Sequence, residues 1–220
     1  MVILPDERKQ ISRLFNFLLQ GEYLARDCSR SQARFFPDQY SRSFLLRQSR
    51  QENLHARIFR EVIGILSPRG AGPLLGGAPM QRYRRLIEQA LRQYDLAGSL
   101  LGMQVIMEGV GDVAINSIND GIVTRGLDLK RLRRLVVGQE EAHHDFGVRR
   151  LDQLVCQNDG NSLSLQHKAA DYLELMDALI GAAVGLFEYF GENANDYVKQ
   201  LYQKLPPWMY NSATSDRISV

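Results

Sequence analysis

The chain is poor in several things. Of its 220 residues only two are cysteine, four are histidine and one is tryptophan. Cys28 and Cys156 give neither a zinc-ligand spacing nor a disulfide framework. That excludes a stapled secreted scaffold and suits a reducing, cytoplasmic setting. Charge of one sign does not accumulate: the net value is +2 with 24% charged residues. No global electrostatic argument for nucleic acid or an anionic membrane follows. No long uncharged apolar run is present. The most apolar stretch, 173–190, carries Glu174, Asp177 and Glu188, and reads as a buried helix rather than a membrane span. Residues 1–7 lack the apolar core of a signal peptide. Basic clusters at 82–85 and 130–134 read as solvated helix faces, with an acidic carrier protein as the lesser reading.

What is present is helical pattern. With 45% hydrophobic residues, the chain suffices for one well-cored domain over 1–220. Apolar residues at helical spacing predict an all-α fold, with helices at about 6–29, 38–66, 80–119, 127–157, 162–190 and 193–204. Pro37-Asp38, the Gly/Pro-rich loop to Pro79, Asn119-Asp120-Gly121, Asn158-Asp159-Gly160 and Pro206-Pro207 separate them. A break in the third helix is expected near Gly98 or Gly102.

Two of the scarce histidines sit in Glu-x-x-His pairs, Glu52/His55 and Glu140/His143, each preceded by glutamine (Gln51, Gln139). Chance gives about 0.2 such pairs in a chain of this composition. Residues three apart share a helix face, so each pair can present a carboxylate and an imidazole to one metal ion.

The second half echoes the first. A shift of 88 residues lays Phe44 on Leu132, Gln48 on Val136, Gln51 on Gln139, Glu52 on Glu140 and His55 on His143. A shift of 86 lays Phe15 on Leu101, Leu19 on Val105 and Glu22 on Glu108. Each half is thus a helical hairpin with one glutamate and then a Glu-x-x-His pair, and a pseudo-twofold four-helix bundle follows. Residues from about 6 to 157 form the bundle, and additional C-terminal helices at about 162–204 cover it.

Helix phase selects the inward-facing donors. At about 100° per residue, Glu140 and His143 share a stripe with Leu132, Val136, Phe146 and Leu154. The overlapping pair Glu141/His144 points toward the rim. It stays an alternative because Val137, Val148 and Val155 widen the apolar face. Glu22 interrupts the stripe Ile11, Phe15, Leu18, Ala25, and Glu108 interrupts Leu101, Val105, Ile115. A carboxylate on a core stripe costs several kcal/mol unless paired or metal-bound. Four Glu and two His suit iron or manganese and exceed a tetrahedral zinc site. A metal-free bundle with buried ion pairs is the competing reading.

Several further residues are drawn in. Gln51 and Gln139, each directly before a pair glutamate, are supporting candidates. Gln104 and Tyr23 are pocket or supporting candidates. Asp112, one turn after Glu108, is another, with a salt bridge to Arg26 expected. Gly109, Gly111 and Ala114 around Glu108 suggest either room for a substrate, a local bulge or close packing.

The order Glu22, Glu52-x-x-His55, Glu108, Glu140-x-x-His143 resembles the ferritin-like di-iron carboxylate superfamily over residues 10–157. Within it, Glu52-Asn53-Leu54-His55-x-x-x-Phe59 and Glu140-x-x-His143-x-x-Phe146-Gly147 look most like small di-iron oxygenases of the aldehyde-deformylating type. The resemblance implies a ferritin-like four-helix bundle holding two iron ions, or a manganese–iron pair. It implies an oxygenase that uses O2 and an external electron donor, a reductase or ferredoxin, to oxidise a small apolar or acyl-chain substrate. A monomer or homodimer is expected. Two departures stand out: Gly111 occupies the place of an extra glutamate in rubrerythrin-type peroxidases, and Gln51 and Gln139 replace the aspartates common in larger hydroxylases, so the resemblance implies that any bond from there to the opposite histidine is neutral. The alternatives are a ferroxidase or iron-storage subunit, a rubrerythrin-like protein, and a helical interaction module with a vestigial site.

Overall fold

The computed structural model describes residues 4–70, 72–111, 113, 130–157, 162–191, 193–206 and 209, and no strand occurs among them. Helix α1 spans Pro5–Gln32 and α2 spans Gln39–Leu66. Pro5 fits the first turn of α1, where its missing N–H is not needed. Glu7 reaches back to accept from the Leu4 N–H at 3.0 Å. Asp38 starts α2 by accepting from the Ser41 N–H at 2.8 Å. The short connection folds the two helices onto each other as a hairpin.

The third helical stretch departs from the expected continuous helix. Helix α3 covers Gly77–Arg92 and α4 covers Leu96–Leu100. The break falls at 93–95, upstream of both Gly98 and Gly102. Tyr94 takes a left-handed conformation, φ 57°, and Asp95 restarts the helix by accepting from the Gly98 N–H at 2.9 Å. The backbone then widens into π-helical turns over Leu101–Met107 and continues as helix over 108–111. Gly102 lies in those turns, and the Tyr83 hydroxyl donates to its carbonyl at 2.6 Å. A side chain there would meet the ring of Tyr172. The rest of the expected third helix (114–119), the turn at 119–121 and the onset of the next helix lie outside the described residues.

Helix α5 spans Lys130–Gln157, α6 spans Ser162–Tyr189 and α7 spans Ala194–Lys204. Helices α1, α2, the π-containing helix and α5 form the bundle. Helix α6 packs on α3 and on the π turns, and α7 packs on α6. The main apolar core runs through this assembly, with Phe15 against Phe59 at 5.2 Å between ring centres. A second cluster of Phe36, Phe44, Leu45, Leu100 and Phe146 closes one end. There Phe44 stacks on Phe146 at 4.1 Å and meets His143 edge-on. Arg150 lies over the Phe36, Tyr40 and Phe146 rings and pairs with Asp38 at 3.2 Å. Among the described residues no helix is long and apolar enough to cross a membrane.

Candidate metal centre

Each of the four bundle helices delivers a carboxylate to the middle of the bundle. Helix α1 brings Glu22, α2 brings Glu52 and His55, the π-containing helix brings Glu108, and α5 brings Glu140 and His143. The three-residue spacing puts each Glu-x-x-His pair on one face. All six side chains are buried, the most exposed being Glu22 at 8%. They form two overlapping groups: Glu22, Glu52, His55, Glu140 and Glu52, Glu108, Glu140, His143, with donor atoms within 4.8 Å of one another in each. Glu52 and Glu140 belong to both.

The donor atoms converge, and four of them are left unsatisfied. His55 Nδ1 lies 3.1 Å from Glu52, 3.2 Å from Glu22 and 3.4 Å from Glu140. His143 Nδ1 lies 2.9 Å from Glu52 and 4.0 Å from Glu140. Yet both oxygens of Glu52, Oε1 of Glu140 and Nδ1 of His143 make no aligned hydrogen bond and touch no solvent. Each such orphaned buried atom costs roughly 1–3 kcal/mol. A cation in the space they share satisfies all of them, and two divalent ions also balance the four carboxylate charges. The donors present therefore fit a dinuclear centre.

The histidines are oriented from behind. His55 Nε2 donates to Gln139 at 2.8 Å, and His143 Nε2 donates to Gln51 at 3.0 Å. Each glutamine thus serves the histidine of the opposite helix. With the proton on Nε2, the Nδ1 lone pair of each ring faces the carboxylates, the tautomer a metal ligand needs. Both cross-helix bonds run to neutral amides.

Without a cation the carboxylates compete for protons. Burial lifts Glu22 and Glu108 well above the ordinary carboxylate range, and the nearby Glu140 and Glu52 lift them further; a bond from His55 partly offsets this for Glu22. Burial pushes Glu52 up as well, but the imidazoles of His143 and then His55 outweigh it and hold Glu52 low. Burial opposes charge on His55, but the surrounding carboxylates of Glu140, Glu22 and Glu52 prevail and raise it far above an ordinary histidine.

Gln104 is fully buried and reaches Glu108 indirectly. Gln48 donates to Glu108 Oε1 at 2.7 Å and accepts from Gln104 at 3.4 Å. Gln104 and Gln32 bond reciprocally at 2.8 and 2.9 Å, and Ser29 and Ser99 close the set at 3.3 Å. The sequence reading missed Gln32, Gln48, Ser29 and Ser99 in this role. The available signal was polarity on a core stripe: Gln48 and Gln104 each stand one turn before a ligand-bearing glutamate.

The remaining described candidates sit outside the six-residue cluster. Glu141 is exposed and takes no part in the cluster. His144 packs against Gly109, which is close packing rather than substrate room. Tyr23 sits beneath the Arg26 guanidinium, 5.0 Å from its ring centre, and makes no bond to Glu22. Arg26 pairs with its neighbour Asp27 at 2.8 Å, and its expected partner Asp112 lies outside the described residues. Asp112 and Ala114 lie outside the described residues.

Beside the centre lies a narrow cavity of about 60 Å³, bordered by Glu22, Glu108 and Glu140 and otherwise apolar. Four of the chain's six methionines line it: Met80, Met103, Met107 and Met176. Gly111 and Leu179 also border it, so α6 contributes to the wall.

No known protein family's profile matches the chain, and no curated protein matches it by sequence. Among solved structures it is similar to "Protein 19 with aldehyde deformylating oxidase activity from Synechococcus", with a TM-score of 0.74 and 17% identity. The likeness covers 96% of this chain and 95% of that one. The fold is ferritin-like.

Proposed function

We propose that this chain is a non-haem di-iron oxygenase that oxidises a small apolar or acyl-chain substrate. The observation that carries the reading is the pair of overlapping four-donor groups, buried and with both oxygens of the shared Glu52 left unpaired. One ion would be held by Glu22, Glu52, His55 and Glu140, the other by Glu52, Glu108, Glu140 and His143, with Glu52 and Glu140 shared. Iron bound there supplies the redox chemistry that O2 activation needs.

The chain's own residues do the rest. Gln51 and Gln139 hold the imidazoles with Nδ1 inward. Phe44, Phe146 and the second apolar cluster keep water from one end of the centre. The methionine-lined cavity puts an apolar molecule against the side chains of Glu22, Glu108 and Glu140. Methionines adapt to irregular shapes, so a cavity this narrow can widen around a slim chain. Electrons come from outside, from a reductase or ferredoxin. An acidic donor or carrier finds Arg57, Arg60 and Arg84 on the rim of a surface groove between α1, α2 and α3.

The test is metal analysis after anaerobic Fe(II) loading, then O2 exposure with aldehydes and fatty acyl compounds of graded length. Two irons per chain and product that depends on chain length are expected. Chain without stoichiometric iron overturns the reading. Large iron-filled shells on sizing replace it with iron storage.

A further inference from the structure

The internal repeat preserves the ligands but not what stands behind them. Both imidazoles are held alike, by Gln139 and Gln51 at 2.8 and 3.0 Å. Both ion positions share Glu52 and Glu140. The terminal carboxylates, Glu22 and Glu108, are therefore the ligands whose support differs.

Glu108 is clamped. Gln48 donates to its Oε1 at 2.7 Å, which leaves Oε2 for the centre. Behind Gln48 stand Gln104, Gln32, Ser29 and Ser99, all fully buried and bonded to one another. A buried amide network with its members satisfied is rigid. Under the repeat, the counterpart of Gln48 is Val136 and the counterpart of Gln104 is Leu18. Neither side chain can donate. The hydrogen-bond partner of Glu22 among the described residues is His55 Nδ1, at 3.2 Å, the atom an ion would take. Once an ion binds, Glu22 loses that partner and faces the cavity.

We propose that the two ion positions are unequal by construction: the Glu108/His143 position fills first and tightly, and the Glu22/His55 position fills second and is the labile one. The proposal rests on the dinuclear reading above. Its physical basis is preorganisation. A glutamate side chain gives up rotamer freedom when it is fixed. Glu108 has lost that freedom before the ion arrives, and Glu22 has not. Gln48 is a positioning residue, acting through Glu108. Glu22, unbacked, keeps the freedom to swing toward or away from its ion beside the cavity.

Mn(II) titration of the metal-free full-length chain tests this, read by calorimetry and by the spin resonance of free Mn(II). Two steps are expected, the first tighter by about 10–100-fold, the usual effect of a supporting hydrogen bond on metal affinity. Gln48→Met should erase that advantage and leave the second step unchanged. Gln104→Met, which breaks the same network one link further away, should lower the melting temperature comparably while keeping most of the first-step affinity. A merely structural role for Gln48 would instead make the two variants behave alike. A measurement on the unaltered chain needs no variant to fold: a crystal given one equivalent of Mn(II) should show anomalous density beside His143. Density beside His55, or two equal steps in the unaltered chain, overturns the proposal and leaves the dinuclear reading standing. No Mn(II) uptake at all overturns both.

Discussion

Glu22 and Glu108 occupy matching points of one internal repeat, yet they sit in different surroundings. Glu108 backs onto a wall of buried amides and hydroxyls. Glu22 borders the methionine-lined cavity together with Leu18 and Ala25 of its own helix. Their helices differ too: Glu108 follows directly on π-helical turns, and Glu22 stands in a regular helix. The six donors decide what the centre can bind. The surroundings decide how firmly each donor is held and what can approach it. A repeat that keeps the first and varies the second turns a symmetric ligand set into an asymmetric site.

The largest effect is expected where the two halves meet. Glu52 belongs to both donor groups, so Glu52→Ala should remove both ions and take the iron-to-chain ratio from two to near zero by elemental analysis. Glu22→Ala should leave one ion, beside His143. If Glu22→Ala empties the centre as fully as Glu52→Ala does, the two positions are not separable and the comparison fails. Next in size are the glutamines behind the imidazoles. Gln139→Leu and Gln51→Leu should each weaken Mn(II) binding by about 10–100-fold, each at the ion of the histidine it supports. Equal losses would leave the carboxylates as the source of asymmetry. Unequal losses would move it to the histidines.

The residues that converge were readable from sequence because their burden is local. A Glu and a His three apart on an apolar stripe have few uses, and the repeat doubled the signal at Glu52/His55 and Glu140/His143. Phase against Val136, Phe146 and Leu154 separated Glu140 from Glu141, and the structure leaves Glu141 in solvent. The break at Tyr94 was not legible, because a left-handed tyrosine carries no signature that glycine-based turn rules detect. The π turns at Leu101–Met107 depend on packing from other elements, Tyr83 bonding the Gly102 carbonyl and Tyr172 crowding its face. The amide network was hidden for a similar reason. Each of Gln32, Gln48 and Gln104 looks like an ordinary helical glutamine until three helices bring them together. Gly147 shows the same dependence: a side chain there would collide with Gln104, so the glycine lets α5 close over the network.

A smaller effect is expected on the cavity side. Gly111 borders the cavity, and an added Cβ would make only ordinary contact with Glu140 at 3.8 Å. Gly111→Leu keeps the metal ligands and projects four carbons toward a space of about 60 Å³. Two irons per chain should remain, while KM for an acyl substrate rises about tenfold, the scale of a lost pocket contact. Melting temperature should hold or rise, since replacing glycine in a helix is worth up to about 1 kcal/mol. A fall in stability with unchanged KM would show that the cavity is packing slack, and Glu22 would lose its claim to face a substrate.

The most gradual effect is the pH dependence of the metal-free chain, and its sign follows from which groups hold protons. Glu22 and Glu108 are raised above an unfolded value near 4.5, first by burial and then by neighbouring carboxylates. His55 is raised above 6.5 because its carboxylate partners outweigh burial. A group raised on folding stabilises fully below its unfolded value, and that contribution is lost as pH climbs through the folded value. Glu52, held low by His143 and His55 against burial, acts oppositely, and its stability is lost only in strong acid. Through neutral and mildly alkaline pH the raised groups govern, so metal-free protein should melt at progressively lower temperature as pH rises. Loaded with Mn(II), the same chain should show the reverse, because ions replace the protons on Glu22, Glu108 and His55 and bind better as those protons leave. Parallel pH profiles with and without Mn(II) would mean that ions and protons do not compete for these donors.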